Sequence, residues 1–547
     1  MSRADRAPGG AGIVLVTLAS ASFLMALDTS VMNVAIATVA EDVGTTVTGI
    51  QTAITMYTLV MATLMITGGK IGSMIGRRRA FSIGCVIYGA GSLTTALAPN
   101  LAVLLLGWSF LEGIGAALIL PAIVGLVATN FPPGERPRAY GLVAAAQAIA
   151  VALGPLIGGY FTTYLSWRYV FVGEVLIVAV ILLLSRRIQD AKPEGRVHFD
   201  VVGAVLSAAG LGLAVFGVLR AGSWGWVSPK PDAPSLLGIS PVLWFILVGL
   251  LTLRAFVAWE NRVIARGGEP LVQTSLFDNR QLRGGLSMFF FQFLIQAGLF
   301  FAIPLFLSVA LGLSAFDTGV RLLPLSIALL LAAVGVPKLF PRGSPKRVVQ
   351  AGVLSLFAGI VVLVGALEVG AGPEIVSVPL FLAGLGVGAL ASQLGAVTVS
   401  AVPDEQSGEV GGLQNTLTNL GASLGTALTG SILIGTLTAT LLTGIQANPA
   451  VSAQVASRAE VELAGGVPFI SDAQLEAALQ AADVPPDVAD AIVEENEKAR
   501  VKALRVSLSV VALFALLAMF FTTRIPSRPV GEAAPEVGPD AVPADAP

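Results

Sequence analysis

Charge is scarce in this sequence. Only 12% of its 547 residues are Asp, Glu, Lys or Arg, against 55% hydrophobic, and an ordinary soluble chain carries roughly 25% charge. Such a chain lacks the polar surface to cover itself in water, which argues against a soluble globular protein. Reactive side chains are scarcer still: there is one cysteine, Cys85, and one histidine, His198. One cysteine makes no internal disulfide, and one of each leaves no basis for a Cys/His metal cluster or a His-based triad. His198 falls in a stretch read as a cytoplasmic loop and is expected to be solvated. No Gly-Lys-Ser/Thr loop for a nucleoside triphosphate is present. The net charge is −2, with basic residues scattered among short loops, so no face for nucleic acid is expected. These absences point away from an enzyme, a cofactor, a metal or a nucleic-acid partner.

What the sequence has instead is length in apolar runs. A membrane-crossing helix needs about 20 mainly apolar residues. Runs of that kind lie at 12–37, 50–69, 80–98, 101–126, 139–162, 169–185, 201–220, 240–259, 284–310, 318–337, 348–367, 376–400, 410–440 and 505–523. The 61 Gly and 31 Pro fit this reading, because neighbouring helices repair a backbone that Gly and Pro interrupt. The first run follows Arg3 and Arg6 and is too long for a signal-peptide core, so it is read as an uncleaved span. With the N-terminus in the cytoplasm, most of the 32 basic residues fall on the cytoplasmic side. An even number of spans then leaves both termini there, in a multi-pass protein of the cell membrane. Segment 441–500 is long, acidic and on the outer side. Within it, Ser471–Gln480 and Pro486–Arg500 read as two short amphipathic helices, a spacer or a cap over the outer mouth. The tail 526–547 is rich in Pro and Ala and is expected to be disordered.

Two loops repeat. Lys70–Arg79 joins the second and third spans, and Lys338–Arg347 joins the tenth and eleventh; both are short, basic and contain a turn-forming Gly. If spans seven and eight are an insertion, each loop follows the second span of a six-span set. The expected organisation is an all-α membrane protein: a six-helix bundle over 1–190, two inserted spans over 191–283, and a six-helix bundle over 284–525 that includes loop 441–500. Parallel repeats of this kind place a transporter's site between the halves.

Four stretches carry polar or conformational information. Leu27-Asp28-Thr29-Ser30-Val31-Met32-Asn33 sets an ionisable Asp28 deep in the first span. A charge at that depth costs about 2.5–3.5 kcal/mol on insertion scales, so it faces a cavity or a partner. Asp28 is therefore a proton carrier or cation binder, or an Asp bonded to a neighbouring helix. Gly154-Pro155-Leu156-Ile157-Gly158-Gly159 combines a helix-bending Pro with small residues four apart, a surface for close helix packing. The loop Gly69 to Arg79 contains Gly69, Gly76, Arg77 and Arg78, a gating element or a simple positive anchor. Ser109-Phe110-Leu111-Glu112 places a second carboxyl near mid-membrane, with Ser109 and Glu112 expected on one helix face.

These stretches resemble the fourteen-span drug:proton antiporters of the major facilitator superfamily, over nearly the whole chain. The Asp28 stretch resembles that family's Asp-x-Thr-x-x-Asn pattern, Gly154–Gly159 resembles its antiporter motif, and Trp167-Arg168-Tyr169 fits as an interfacial anchor. The resemblance implies a major facilitator fold and proton-coupled efflux of hydrophobic, perhaps cationic, small molecules by alternating access. Two positions depart from it: Ser73 stands where the family has Asp, and Ser109 where it has Arg. Those departures leave open an exporter of a lipid or biosynthetic product with altered or absent proton coupling. The expected partners are a small-molecule substrate, protons and the bilayer. Asp28 and Glu112 are the candidates for proton coupling. Asn33, Gln147, Glu174, Gln292, Gln296, Gln393, Asn415 and Asn419 are candidates for lining the substrate cavity. Of these, Glu174 is expected near the outer end and water-exposed.

Overall fold

The computed structural model describes residues 8–132, 136–190, 199–230, 233–340, 343–402, 407–452, 467–482 and 484–527, with scattered positions between 453 and 466. His198 and the tail from 528 lie outside the described residues. Apart from one isolated bridge, Leu236–Ile239, the described residues form only helices, turns and connecting loops.

The first six long helices are α1 (Pro8–Asp42), α2 (Val47–Ile75), α3 (Arg77–Ala96), α4 (Leu101–Leu104, Leu105–Glu112 and Gly113–Asn130 in continuous succession), α5 (Arg136–Tyr164) and α6 (Arg168–Ser185). Two more follow, α7 (Val201–Trp224) and α8 (Pro241–Ala265). The remainder are α9 (Arg280–Leu305), α10 (Ala315–Leu339), α11 (Pro345–Ala366), α12 (Ser377–Val399), α13 (Ser407–Ala447), the short α14 (Asp472–Ala481) and α15 (Pro486–Phe521). Their starts are set by ordinary caps. Thr46 accepts from the Gly49 amide, Asn100 from Val103 and Asn279 from Leu282. Between α2 and α3 the chain reverses at a single residue, Gly76, whose φ of 102° is open to glycine and strained for other residues.

Among the described residues, twelve helices are long and apolar enough to cross a membrane, and the bent α5 makes a thirteenth. The fourteenth is α3: its 20 residues are diluted by Gly, Ser, Thr and Tyr, yet it packs among the others against α4 and α6. The architecture is thus the expected two six-helix bundles with two inserted helices.

Packing reveals the repeat directly. In the first half α1 packs on α5 and α6, α4 on α2 and α3, and α3 on α6. In the second half α9 packs on α13 and α15, α12 on α10 and α11, and α11 on α15. Matching α1 to α9, and so on to α6 with α15, maps one set of pairs onto the other. The two seams between the halves, α2–α13 and α5–α10, exchange under the same match. This is the relation expected for parallel repeats about an axis through the bundle.

Hereafter the end bearing the α2–α3 turn is the basic end, and its opposite the far end. The seams are tight toward the far end. Gln51 of α2 donates to the carbonyls of Thr426 and Ala427 on α13 at 3.3 and 3.4 Å, and Ser423 Oγ donates to Thr55 O at 3.1 Å. On the other seam the Phe316 amide donates to Thr163 Oγ1 at 2.9 Å. There the helices touch through glycine: a Cβ on Gly159 would lie 2.6 Å from Ala315 O, and one on Gly319 would lie 2.2 Å from Pro155 O.

One expectation needs correction. Ser471 does start a short helix, with a capping box to Gln474. Pro486–Arg500, however, is not a separate helix; it is the first part of the 36-residue α15, continuous with the last span. No Gly or Pro interrupts 487–521, so nothing in the chain stops the helix at the membrane surface. The loop is tied back by Arg500, which donates to Ile470 O at 2.9 Å and pairs with Asp472 at 2.5 Å. Phe469 is fully buried beneath it.

The glycine contacts make a direct prediction. Gly319→Val forces a side chain into the Pro155 carbonyl and should disfavour far-end closure by about 1–3 kcal/mol, the usual range for overpacking. A cysteine pair at Thr163 and Phe316 should cross-link readily in the parent and several-fold less in the valine variant.

Candidate functional site

The polar groups of the first bundle converge. Carboxylate oxygens of Asp28 (α1), Glu112 (α4) and Glu174 (α6) all lie within 4.8 Å of one another, and all three residues are buried. Helix packing brings them together. A Cβ on Gly91 of α3 would lie 2.6 Å from Glu112 Cγ, and one on Gly107 of α4 would lie 2.7 Å from the Thr95 amide. Gly84 and Gly115 repeat the arrangement one step along, with Gly84 approaching the Gly115 carbonyl. Glycines thus let α3 and α4 meet almost backbone to backbone.

Within α4 the stretch Leu105–Glu112 is π-helical, a wider turn that shifts the phase of the side chains and is often found at functional sites. Its consequence corrects the expected shared face of Ser109 and Glu112. Ser109 Oγ turns to α2 and donates to Ala53 O at 2.8 Å, whereas Glu112 turns to α3 and accepts from Thr95 Oγ1 at 3.3 Å.

Each carboxyl has a distinct setting. Trp108 Nε1 donates to both oxygens of Asp28 at 2.9 Å. The Trp108 ring is held by Tyr57, stacked at 5.1 Å with planes 9° apart. Glu174 Oε2 accepts from Ser92 Oγ at 3.0 Å and from the Tyr88 hydroxyl at 3.5 Å. Glu112 Oε2, Glu174 Oε1 and the Tyr57 hydroxyl are buried without a hydrogen-bond partner. No salt bridge to a base reaches the three carboxyls among the described residues.

Glu174 is therefore not a water-exposed outer residue: it is 1% exposed. The reason lies in its helix. Val170, Glu174, Val178, Ile181 and Ser185 form the buried stripe of α6, and that stripe faces α3 and α1. Sequence reasoning also missed Tyr57, Tyr88, Ser92, Thr95 and Trp108. A signal was present: Tyr88, Ser92 and Thr95 recur at i, i+4 and i+7 of α3, one polar face on a span.

The Gly154–Gly159 stretch sits where a seam helix touches both halves. Pro155 cannot donate to Val151 O, and Ser30 Oγ, beside Asp28 on α1, donates to that carbonyl at 3.5 Å. The helix is bent by 40° between Val151 and Leu153. A Cβ on Gly154 would lie 2.3 Å from Ser30 Oγ and one on Gly158 2.9 Å from Val31 Cα. Gly154 and Gly158 thus face α1, while Gly159 faces α10.

The second-half candidates do not join the carboxyl cluster. Asn415 and Asn419 each bond a carbonyl one turn back on α13, and Asn419 also reaches Met65 Sδ on α2 at 3.7 Å, across a seam. Gln393 donates to Ser392. Gln292 is buried and Gln296 half-buried, each with an unpartnered carbonyl oxygen. Asn33 is buried on α1, and Gln147 is half-buried on α5.

At the basic end, a Cβ on Gly69 would lie 3.5 Å from Pro121 Cβ, and Ser73 Oγ donates to Lys70 O within its own helix. The carboxylate at this turn comes from elsewhere: Asp190, after α6, accepts from the Arg78 amide at 3.1 Å and lies against Gly76. Arg77 donates to Gly125 O at 3.1 Å and Arg78 to Ile188 O at 3.3 Å. Both arginines thus bind carbonyls near the ends of other helices, where the backbone dipole favours cations. Asp190→Ala should remove the cap at the start of α3 and cost about 0.5–2 kcal/mol, read as a lowered thermal midpoint in detergent with the fold retained.

Comparison with known proteins bears on the whole arrangement. The family profile described as Major Facilitator Superfamily matches residues 18–426. A probable actinorhodin transporter of Streptomyces coelicolor is 30% identical, over 83% of this chain and 76% of that one. A puromycin resistance protein of Streptomyces alboniger is 31% identical, over 78% and 82%. A cephamycin export protein of Amycolatopsis lactamdurans is 31% identical, over 76% and 83%. Among solved structures, a bacterial homologue of the lysosomal transporter Spinster, inward-facing and unoccupied, aligns with a TM-score of 0.58 at 14% identity, over 96% of this chain and all of that one. The last comparison speaks to the fold alone.

Proposed function

The chain belongs to the major facilitator superfamily, as a multi-pass membrane transporter and not an enzyme, and from that premise we propose that it exports hydrophobic, in part cationic, small molecules from the cytoplasm in exchange for protons. The observation that carries the reading is the buried Asp28–Glu112–Glu174 cluster. Intramembrane carboxyls are expensive and mark ion pathways. Three of them with no base nearby need protons or another cation to balance their charge. Asp28 and Glu112 are the carriers in this reading, and Glu174 joins them.

The route from proton to movement runs through α1. Asp28 and Ser30 lie on the same helix, and Ser30 holds the carbonyl that Pro155 releases on α5. A change of charge at Asp28 is thereby felt at the bent seam helix, which meets α10 at Gly159 and Gly319. With the basic end in the cytoplasm, as the distribution of Lys and Arg favours, the tight far-end seams belong to a state closed to the outside. The membrane is then the cell membrane, with both termini on its inner side. The substrate cavity lies between the halves on the cytoplasmic side of those seams. Asn419 on α13, bonded across the seam to Met65 on α2, marks the inner limit of that cavity in this reading.

A second reading is an exporter of a biosynthetic product with altered coupling. It draws on relatives named for actinorhodin and cephamycin, and on Ser73 and Ser109 in place of the family's Asp and Arg. The relative named a multidrug resistance protein, 27% identical and from Mycobacterium tuberculosis, supports the broader substrate range.

In proteoliposomes, a panel of lipophilic cations should trigger a proton signal with the parent protein. Asp28→Asn or Glu112→Gln should reduce that signal by at least about tenfold, a loss of about 1.4 kcal/mol or more in coupling. Confirmed substrate binding with no proton signal from the parent would favour the product exporter.

A further inference from the structure

We propose that the hairpin joining α7 to α8 docks its apolar tip, Leu236 and Leu237, into the lipid surface at the far end of the molecule. The docking does not depend on what the protein transports.

The backbone of the tip is unusual. Leu236 donates its amide to Ile239 O at 3.0 Å, and Ile239 donates to Leu236 O at 3.1 Å. The two residues between them, Leu237 and Gly238, have φ of 56° and 76°. Positive φ at both central positions is the tightest hairpin turn, and it favours Asn-Gly or Asp-Gly. Leu237 is the one non-glycine residue at positive φ among the described residues. A leucine is strained there, where Asn is tolerated. Its side chain is 83% exposed, more than any other large apolar side chain among the described residues, and Leu236 is 54% exposed. Facing water, this tip would combine backbone strain with bare apolar surface. An apolar neighbour supplies a reason for both.

The surroundings identify that neighbour as lipid. Gly222, near the end of α7, lies against Ser431 of α13, next to the Gly430 that Gln51 covers at the far-end seam. The hairpin is therefore at the far end. Trp244 stands in the first turn of α8, and its indole donates to Leu236 O at 3.3 Å. That bond brings the tip alongside the first turn of the helix instead of letting it project outward. Leu243 and Leu247, on the same stretch of α8, are exposed. Among the described spans α8 is the least covered by protein, with 11% of its apolar stretch buried. Exposed leucines on such a helix face hydrocarbon, and tryptophans gather at the boundary where it begins. The tip thus lies at the depth of the membrane surface.

The hairpin is also braced. Ser240 Oγ donates to Gly225 O at 2.6 Å, the Ser240 amide donates to Val227 O at 2.8 Å, and Lys230 Nζ donates to Gly222 O at 2.7 Å. Phe216 and Trp224 of α7 pack on Phe245 of α8 beneath it. Two leucines are too little surface for a specific protein partner, which needs about 800 Å² from each side. They suffice for a bilayer to which two spans already hold them, in the manner of an element that lies on the membrane without crossing it. Because α7 packs on both α2 and α13, the docked hairpin fixes the depth of the helix that bridges that seam.

The only cysteine, Cys85, is buried, so a nitroxide can be placed at Leu237→Cys in the full chain. Leu236→Cys repeats the measurement should the turn not tolerate the first change. Ala477→Cys, on the exposed face of α14, is the water-facing control. In nanodiscs, power saturation compares collision with oxygen, which partitions into lipid, and with a water-soluble nickel chelate. The ratio of oxygen to nickel accessibility should be several-fold higher at 236 and 237 than at 477. Adding Leu237→Asn to the label at 236 keeps a residue suited to positive φ and should lower that ratio several-fold. Nickel access at 236 and 237 equal to that at 477 places the tip in water and overturns the proposal. Protection of both positions from both reagents means that protein covers the tip, and also overturns it. A ratio unmoved by Leu237→Asn removes the leucine side chain as the cause of docking.

Discussion

One constraint governs the first bundle: three carboxyls share a space within an apolar interior, and no basic side chain among the described residues pairs with them. Like charges at this separation, away from water, do not all persist without a counter-charge. The cluster therefore calls for positive charge from outside its own side chains, which in the proposed antiport is the exchanged proton. A structural role alone would be served more cheaply by apolar side chains of similar volume, which favours the proposed exchange. The surrounding hydroxyls both donate and accept, and the Trp108 indole N–H donates to Asp28.

Meeting that constraint requires unusually close helices. Ser92 and Thr95 reach their glutamates because Gly91 and Gly107 allow α3 and α4 to approach. The π-turn in α4 completes the geometry by sending Ser109 to α2 and Glu112 to α3. The Arg that the family places at the position of Ser109 would bring a base near this cluster. Its replacement by a hydroxyl that is already spent on a backbone carbonyl leaves the carboxyls without that counter-charge.

The architecture was legible in the sequence because the bilayer enforces it. Backbone groups in hydrocarbon must be paired internally, so apolar length translates directly into helices. Asp28 and Glu112 were legible for the same reason, as charges where charge is costly. Glu174 was visible but misplaced, since distance along a helix suggested exposure while its place on the stripe Val170, Val178, Ile181 decided burial. Tyr57 and Trp108 were not legible. An aromatic residue on a span reads as packing, and only the fold reveals that a ring supports a carboxyl. The continuity of α15 follows from the absence of any Gly or Pro over 487–521, while the change from a polar to an apolar stretch near Arg500 suggests two segments.

The halves match each other, but their two seams do not have the same neighbours. Helix α7 packs on both α2 and α13, with Ser431 Oγ donating to Val218 O at 3.2 Å and Gly222 close against Ser431 Cα. Helix α8 packs chiefly on α7. The inserted pair therefore bridges the α2–α13 seam, whereas the α5–α10 seam, with its proline bend and glycine contacts, has no comparable bridge among the described residues. Rocking the halves about an axis through the bundle changes both seams by equal amounts. At α2–α13 the change must be absorbed against α7 by sliding of small residues, since a packed core resists compression. At α5–α10 it can be absorbed by the bend in α5 itself. The seam joined through α1 to Asp28 is thus the one with a bend that can absorb movement, and it is there that the proposed proton exchange would act.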